Sequence, residues 1–250
     1  MVKVKYNLKR VSKIAPALFL HIQKTAGTSI VKMAAAHYGN ANCSSHGDFS
    51  GKLPEEFFST QFVSGHFGYD YAKALMPERY CFTFLRDPAE RILSLYYFYC
   101  ANNPDTFPMY RVAHENKLTD FLRLGLKDPM VRSRIWNNQV WQLACGWENP
   151  SNKGIGSFSP SELLYLAKKH LDDFSYVGFT ENFDDDMVEI TRSIGMMLPE
   201  VQVHSNCTSR PTYNELNGED RALLAELTKL DQELYDYAKQ QTGTFVTSRG

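Results

Sequence analysis

Apolar residues in this chain fall into two rhythms. Four short continuous runs, Ala17–Ile22 (ALFLHI), Gln61–Ser64 (QFVS), Tyr80–Leu85 (YCFTFL) and Tyr176–Phe179 (YVGF), have no polar alternation. That pattern predicts strands covered on both faces, as in a parallel sheet. Between and after them the rhythm becomes helical, over Thr28–Tyr38, Pro88–Tyr99, Ser161–Leu171, Phe183–Ile194 and Glu219–Gln240. In the last of these Leu223, Leu224, Leu227, Leu230, Leu234 and Tyr237 lie close to i, i+3, i+4, i+7 spacing. Strands alternating with helices predict an α/β fold with a doubly wound, mainly parallel central sheet flanked by helices, with helical insertions. In such sheets ligands bind beyond the carboxyl ends of the strands, so the residues after each run carry the interest.

Composition narrows the classes without choosing among them. The 250 residues are 43% hydrophobic and 22% charged, ordinary globular usage that excludes a disordered, collagenous or coiled-coil chain. With 27 Lys+Arg against 28 Asp+Glu the net charge is −1, so no global field recruits a polyanion, and any anion site must be local. Lys3, Lys5, Lys9, Arg10 and Lys13 form a basic N-terminal arm over 1–13, which reads as a solvated face, ahead of a mildly acidic body. The Gly/Ser/Asn-rich stretch Asn149–Ser159 reads as a surface loop, and residues 1–250 as one domain. Cys43, Cys81, Cys100, Cys145 and Cys207 are widely spaced with no CxxC pair, which points to reduced thiols and a cytoplasmic protein. No apolar run reaches the length of about 18 residues that a membrane span needs.

Two segments carry chemistry. After the first strand, Gln23–Ser29 (QKTAGTS) is a small-residue loop running into a helix. Such a turn aims backbone N–H groups and the positive end of a helix dipole at one point. Lys24 adds a full charge there, and Thr25, Thr28 and Ser29 add hydroxyl donors, with Ala26 and Gly27 keeping the backbone approachable; a plain strand-to-helix turn capped by Thr28 is the alternative. The loop is not a GxxxxGK[ST] sequence. After the third run, Asp87 is a good N-cap with Pro88 at the first helical position, Arg86 at the strand end and Ser94 about two turns on. A guanidinium fork and a hydroxyl brought together suit a phosphate monoester, against the alternative of an ion pair from Arg86 to Asp87 or Glu90.

Both segments, in this order, resemble the 5′-phosphosulfate loop (Lys24–Thr28) and the 3′-phosphate motif (Arg86 to Ser94, with Arg91) of sulfotransferases that use 3′-phosphoadenosine 5′-phosphosulfate (PAPS). More narrowly, HIQKT from His21 and RDPxxRxxSxYY from Arg86 resemble the branch of heparan sulfate 2-O- and 6-O-sulfotransferases and their bacterial relatives. The likeness extends through Val63–Gly68, Asn138-Gln139, Leu143–Gly146 and Tyr176–Glu181.

That resemblance implies a P-loop-like fold and an O-sulfotransferase. PAPS would be the co-substrate, with no metal, and adenosine 3′,5′-bisphosphate the product. It gives His66 the role of general base and Lys24 that of charge stabiliser. The residues from Lys24 to Ser29 with Arg86 and Ser94 would hold the nucleotide, joined by Ser209 and Arg210 from a late loop. His21 is expected to pack or orient. Asn138, Gln139 and Trp141 are candidates for the acceptor side, with simple packing the weightier reading. The cluster Glu181, Asp184, Asp185, Asp186 and Glu189 reads as a dipole-matched helix surface. The body has more acidic than basic residues and no basic run beyond its first 13 positions, which favours a neutral acceptor: a sugar, a glycolipid or a small hydroxylated metabolite. A small-molecule kinase using ATP and a non-catalytic nucleotide binder are the competing classes. The kinase lacks its phosphate loop, and the binder has no need of His66.

Overall fold

A computed structural model describes residues 15–148, 152–196 and 210–245. Five parallel strands, β1 (Ala17–Leu20), β2 (Cys43–Ser44), β3 (Phe62–Gly65), β4 (Tyr80–Leu85) and β5 (Tyr176–Phe179), form one sheet in the order β2-β3-β1-β4-β5. The helices are α1 (Gly27–Tyr38), α2 (Tyr69–Ala72), α3 (Pro88–Cys100), α4 (Pro108–Glu115), α5 (Leu118–Lys127), α6 (Pro129–Ile135), α7 (Asn138–Ala144), α8 (Pro160–Leu171), α9 (Phe183–Ile194), α10 (Gly218–Leu227) and α11 (Lys229–Phe245). The α/β class, the parallel sheet and the flanking helices are as the apolar runs predict. The basic arm 1–13, Cys207 and part of the loop Asn149–Ser159 lie outside the described residues. No helix among the described residues is long and apolar enough to cross a membrane.

The strands are uniformly apolar because both faces are covered. Leu18, Leu20, Val63 and Leu85 pack with α7, α8 and α11 on one side, while Ala17, Phe19, Phe62, Phe82 and Phe84 pack with α1 and α9 on the other. A further cluster joins α3 to α4, α5, α6 and α10 through Leu93, Tyr96, Phe121, Leu122, Ile135 and Leu227. These are the helical insertions. The register aligns Leu20 with Gly65 and Thr83, and Leu85 with Phe179, so that His21, His66, Arg86 and Thr180 each follow directly on the sheet's carboxyl edge.

The expected single helix Glu219–Gln240 is two helices, α10 and α11, separated at Thr228. The chain before α7 is inserted into that break. The Asn137 N–H donates to the Leu227 carbonyl (2.8 Å), and Asn137 Oδ1 accepts from the N–H groups of Leu230 (2.8 Å) and Asp231 (3.1 Å), capping α11. Asp231 in turn caps α7, its carboxylate accepting from the N–H groups of Gln139 (3.3 Å) and Val140 (2.8 Å). Each helix start thus closes the other's orphan donors. Nothing in the leucine spacing signals the break, because the same apolar face continues through it. The strand after α1, β2, escapes notice because its pairing is two residues long, too short for any periodicity to register.

Asp231 is fully buried, and burial pushes its carboxyl up to about 6, against the opposing pull of the Arg91 charge and the α7 amides. Replacing Asp231 with Ala leaves those amides without their acceptor and takes the opposing charge away from the buried Arg91 guanidinium, at a cost of about 3 kcal/mol or more. Urea unfolding should show a lower midpoint at unchanged m-value; a loss below about 1 kcal/mol would mean that the interlocked caps do not hold the insertion in place.

Candidate functional site

A cleft of about 950 Å³ opens at the carboxyl edge of the sheet, over β1 where the strand order reverses. Its floor is the turn from β1 into α1. Two non-glycine residues there, Lys24 (φ 72°) and Ala26 (φ 63°), take the left-handed conformation, a strained arrangement that turns successive N–H groups to one side. Ala26 is the N-cap of α1 and offers no side chain to its first turn, so that the start of the helix is left for an anion. Gly27 is required by contact, since a Cβ there would lie 1.8 Å from Nε2 of His21.

Lys24, Ala26, Gly27, Thr28 and Ser29 all line the cleft, as do Arg86, Ser94, Arg210 and His66. Thr25 is the departure from expectation. Its side chain is fully buried and its hydroxyl donates to the Ile22 carbonyl (2.8 Å), so it ties the turn down instead of facing the cleft. Ser209 lies outside the described residues.

The cations are crowded. Arg86 Nη1 donates to the Lys24 carbonyl (3.1 Å), and the Lys24 ammonium stands 4.0 Å from the centroid of the Phe98 ring. Burial, then the charges of Arg86 and Arg210, bring Lys24 down to about 8. Arg86 is likewise lowered by burial and by Arg210, with Glu90, Glu181 and Asp87 opposing. The alternative for Arg86, an ion pair with Asp87 or Glu90, does not form; Glu90 pairs with Arg210 instead (2.6 Å).

Three imidazoles occupy the β3 side of the cleft. His66 Nδ1 is 2.9 Å from the His21 carbonyl, and since a carbonyl only accepts, Nδ1 carries the hydrogen and Nε2 is the basic nitrogen of the neutral ring. Burial drives His66 down to about 4, partly offset by that hydrogen bond and reinforced by the charges of His46, Arg134 and Lys24. The His21 ring stacks on Phe19 and lies 4.3 Å from His66 between centroids. Burial holds His21 well below the usual histidine range, with His66, His46 and Lys24 acting in the same direction. His46 completes the group at 5.7 Å from His66, at a left-handed φ of 50°.

Two glutamines of α7 hold this edge in place. The Gln139 amide bridges the Arg86 backbone in both directions, accepting from its N–H (3.0 Å) and donating to its carbonyl (2.9 Å), as another strand would. Gln142 donates to the carbonyls of His21 (3.1 Å) and Phe67 (2.8 Å). Asn138, Gln139 and Trp141 are 1%, 1% and 3% exposed and do not line the cleft, so the acceptor-side candidates are packed and positioning residues instead. The acidic cluster also departs from a plain surface. Asp186 is buried, accepting from Tyr176 Oη (2.8 Å) and the Phe179 N–H (2.6 Å), while Glu181, Asp184 and Asp185 line the cleft.

His46 and the aromatic wall of Phe98, Tyr99, Phe107 and Tyr110 also face the cleft and were not legible beforehand. A lone His before Gly47 and aromatics spread over two helices give no local signal. No group of His, Cys, Asp and Glu among the described residues has the geometry of a metal site.

The arrangement can hold an oligoanion against a turn, a helix start and three cations, with an imidazole lone pair alongside. No curated protein matches the chain significantly. One family profile, described as "Sulfotransferase family", matches residues 10–238. That span takes in the whole cleft and most of the sequence, and the chain belongs to the sulfotransferase family.

Proposed function

We propose that this protein is a PAPS-dependent O-sulfotransferase that modifies a hydroxyl of a neutral acceptor, with His66 as general base. The observation that carries the reading is the meeting, in one cleft, of a neutral imidazole of fixed tautomer with a helix start and the cations Lys24, Arg86 and Arg210. The residues fit the nucleotide: burial lowers both Lys24 and Arg86, the charges of Arg86 and Arg210 lower Lys24 further and that of Arg210 lowers Arg86, an arrangement that an anion relieves. PAPS, when bound, supplies an activated sulfuryl group. The turn from Lys24 to Ser29 would hold its phosphosulfate end, and Arg86, Ser94 and Arg210 its 3′-phosphate.

Lys24, short of its usual basicity and set against Phe98, offers an ammonium close to the helix start, where developing negative charge is stabilised by fixed donors. His66 accepts the proton of the attacking hydroxyl at Nε2 while Nδ1 stays bonded to the His21 carbonyl, which Gln142 also holds. His21, stacked on Phe19 and pressed against Gly27, orients its neighbour from behind.

Glu181, Asp184 and Asp185 on the cleft wall disfavour a polyanionic acceptor, whereas Phe98, Phe107 and Tyr110 present faces on which a neutral ring can lie. A sugar, glycolipid or small hydroxylated metabolite meets both conditions. Cys43, Cys81, Cys100 and Cys145 are free thiols, in keeping with a reducing, cytoplasmic setting.

Adenosine 3′,5′-bisphosphate at about 100 times its Kd should add roughly 2.7 kcal/mol of stability, a rise in Tm on the order of 5–10 °C. Arg86→Ala should weaken that binding at least about tenfold. A Tm rise with ATP and magnesium but none with the bisphosphate would replace this reading with the kinase.

His66→Ala should lower turnover by about 10²–10⁴ while the bisphosphate still raises Tm as in the wild type; undiminished turnover would remove the base. Because His66 must be unprotonated and Lys24 protonated, kcat/KM for the donor should rise with pH through about 4 and fall through about 8. An alkaline limb that persists in Lys24→Arg would show that it belongs to another group.

A further inference from the structure

The first turn of α3 departs from the usual helix start in one respect. Asp87 is its N-cap, accepting from the Glu90 N–H (2.9 Å), with Pro88 at the first helical position. A glutamate at the third helical position ordinarily folds back onto the N–H of the capping residue. Here that N–H, of Asp87, is already taken by Glu181 from the far side of the cleft (2.9 Å). Glu90 is thereby released from its local task and reaches outward.

Its carboxylate goes to the segment that leads into α10. Oε2 pairs with Arg210 (2.6 Å), and Oε1 accepts from the Tyr213 N–H (3.0 Å). Arg210 Nη1 donates to the Pro211 carbonyl (3.2 Å), and Nη2 also reaches the Glu90 backbone carbonyl (3.5 Å). The pair is sheltered, with side chains 11% exposed for Arg210 and 26% for Glu90. Arg210 shares its cleft with Lys24 and Arg86, so like charge pushes it away from the others. Against that repulsion, the Glu90 carboxylate holds the guanidinium over the cleft.

Resting on the reading of the cleft as a donor site, we propose that Glu90 is a positioning residue for the 3′-phosphate of the nucleotide, acting through Arg210. Glu90 does not touch the ligand; it anchors the guanidinium that does. The sign of its effect is diagnostic. A carboxylate beside an anion site, acting only through space, repels the ligand, and its removal would tighten binding. An anchor, when removed, loosens it.

The test is calorimetric titration of wild type, Glu90→Gln, Arg210→Ala and the double variant with adenosine 3′,5′-bisphosphate and with adenosine 5′-monophosphate. Glu90→Gln keeps the bulk and an acceptor for Tyr213 but loses the charge. It should weaken the bisphosphate about tenfold and the monophosphate less than about twofold, and add nothing in the Arg210→Ala background.

Equal or tighter bisphosphate binding by Glu90→Gln overturns the proposal. So do additive effects in the double variant, or an equal loss for both ligands. If Glu90→Gln does not fold, Glu90→Asp keeps the charge on a shorter arm and should lose part of the same affinity, again only for the bisphosphate; wild-type affinity there is contrary. A wild type that does not prefer the bisphosphate to the monophosphate removes the donor reading itself, an outcome separate from failure of the Glu90 variants alone.

Discussion

Asp231 and Asn137 exchange helix caps in the interior, and most of the cleft stands on that exchange. It fixes the start of α7, a helix of seven residues all buried from solvent. An isolated helix of that length has no stability of its own. Held by the caps, it presents Gln139 and Gln142 to the ends of β4, β1 and the turn after β3. Arg86 and His66 come from strands β4 and β3, which do not pair with each other but are joined through β1 between them. The α7 amides bind their edges into one rigid rim. Catalysis that relies on fixed donors needs such a rim, because groups that must reorganise lose most of their electrostatic advantage.

Within the rim, charge is distributed unevenly for a physical reason. Cations gather where β1 and β4 end, imidazoles where β1 and β3 end, and carboxylates on the β5 wall. Desolvation is the first cause of the shifts of Lys24, Arg86, His21 and His66 alike. Burial therefore does two things at once: it keeps the histidines neutral and leaves the cations short of counter-charge. The first is what a base requires, and the second is what an oligoanion satisfies. The Glu90–Arg210 pair moderates the cluster without neutralising Lys24 or Arg86, so attraction for an anion survives.

Much of this was legible in the chain. The continuous apolar runs placed β1, β3, β4 and β5 because double-sided burial leaves no polar positions in a strand. Asp87 and Pro88 announced α3 through local capping chemistry. The loop before α1 announced itself through residues whose backbone or charge suits an anion, and the cleft-lining positions of Lys24, Gly27, Arg86 and Ser94 agree with it. The Thr25 hydroxyl faces away from the cleft because a hydroxyl in a tight turn can face either way, and here the Ile22 carbonyl lies within its reach.

What the sequence determined by itself is local: the identity of the strands and of the helices with clear periodicity, the Asp87 cap, the small-residue turn before α1 and the types of side chain available to the chemistry. What only the tertiary structure decided is pairwise over long separations. Asn137 breaks the predicted last helix from 93 residues away, Gln139 reaches Arg86 across 53, and Arg210 finds Glu90 across 120. None of these leaves a mark in periodicity, because a hydrogen bond between distant residues is fixed by how layers pack and not by the spacing of either partner in its own segment. The direction in which the Glu90 carboxylate points was settled in the same way, by Glu181 occupying the one N–H it would otherwise have taken.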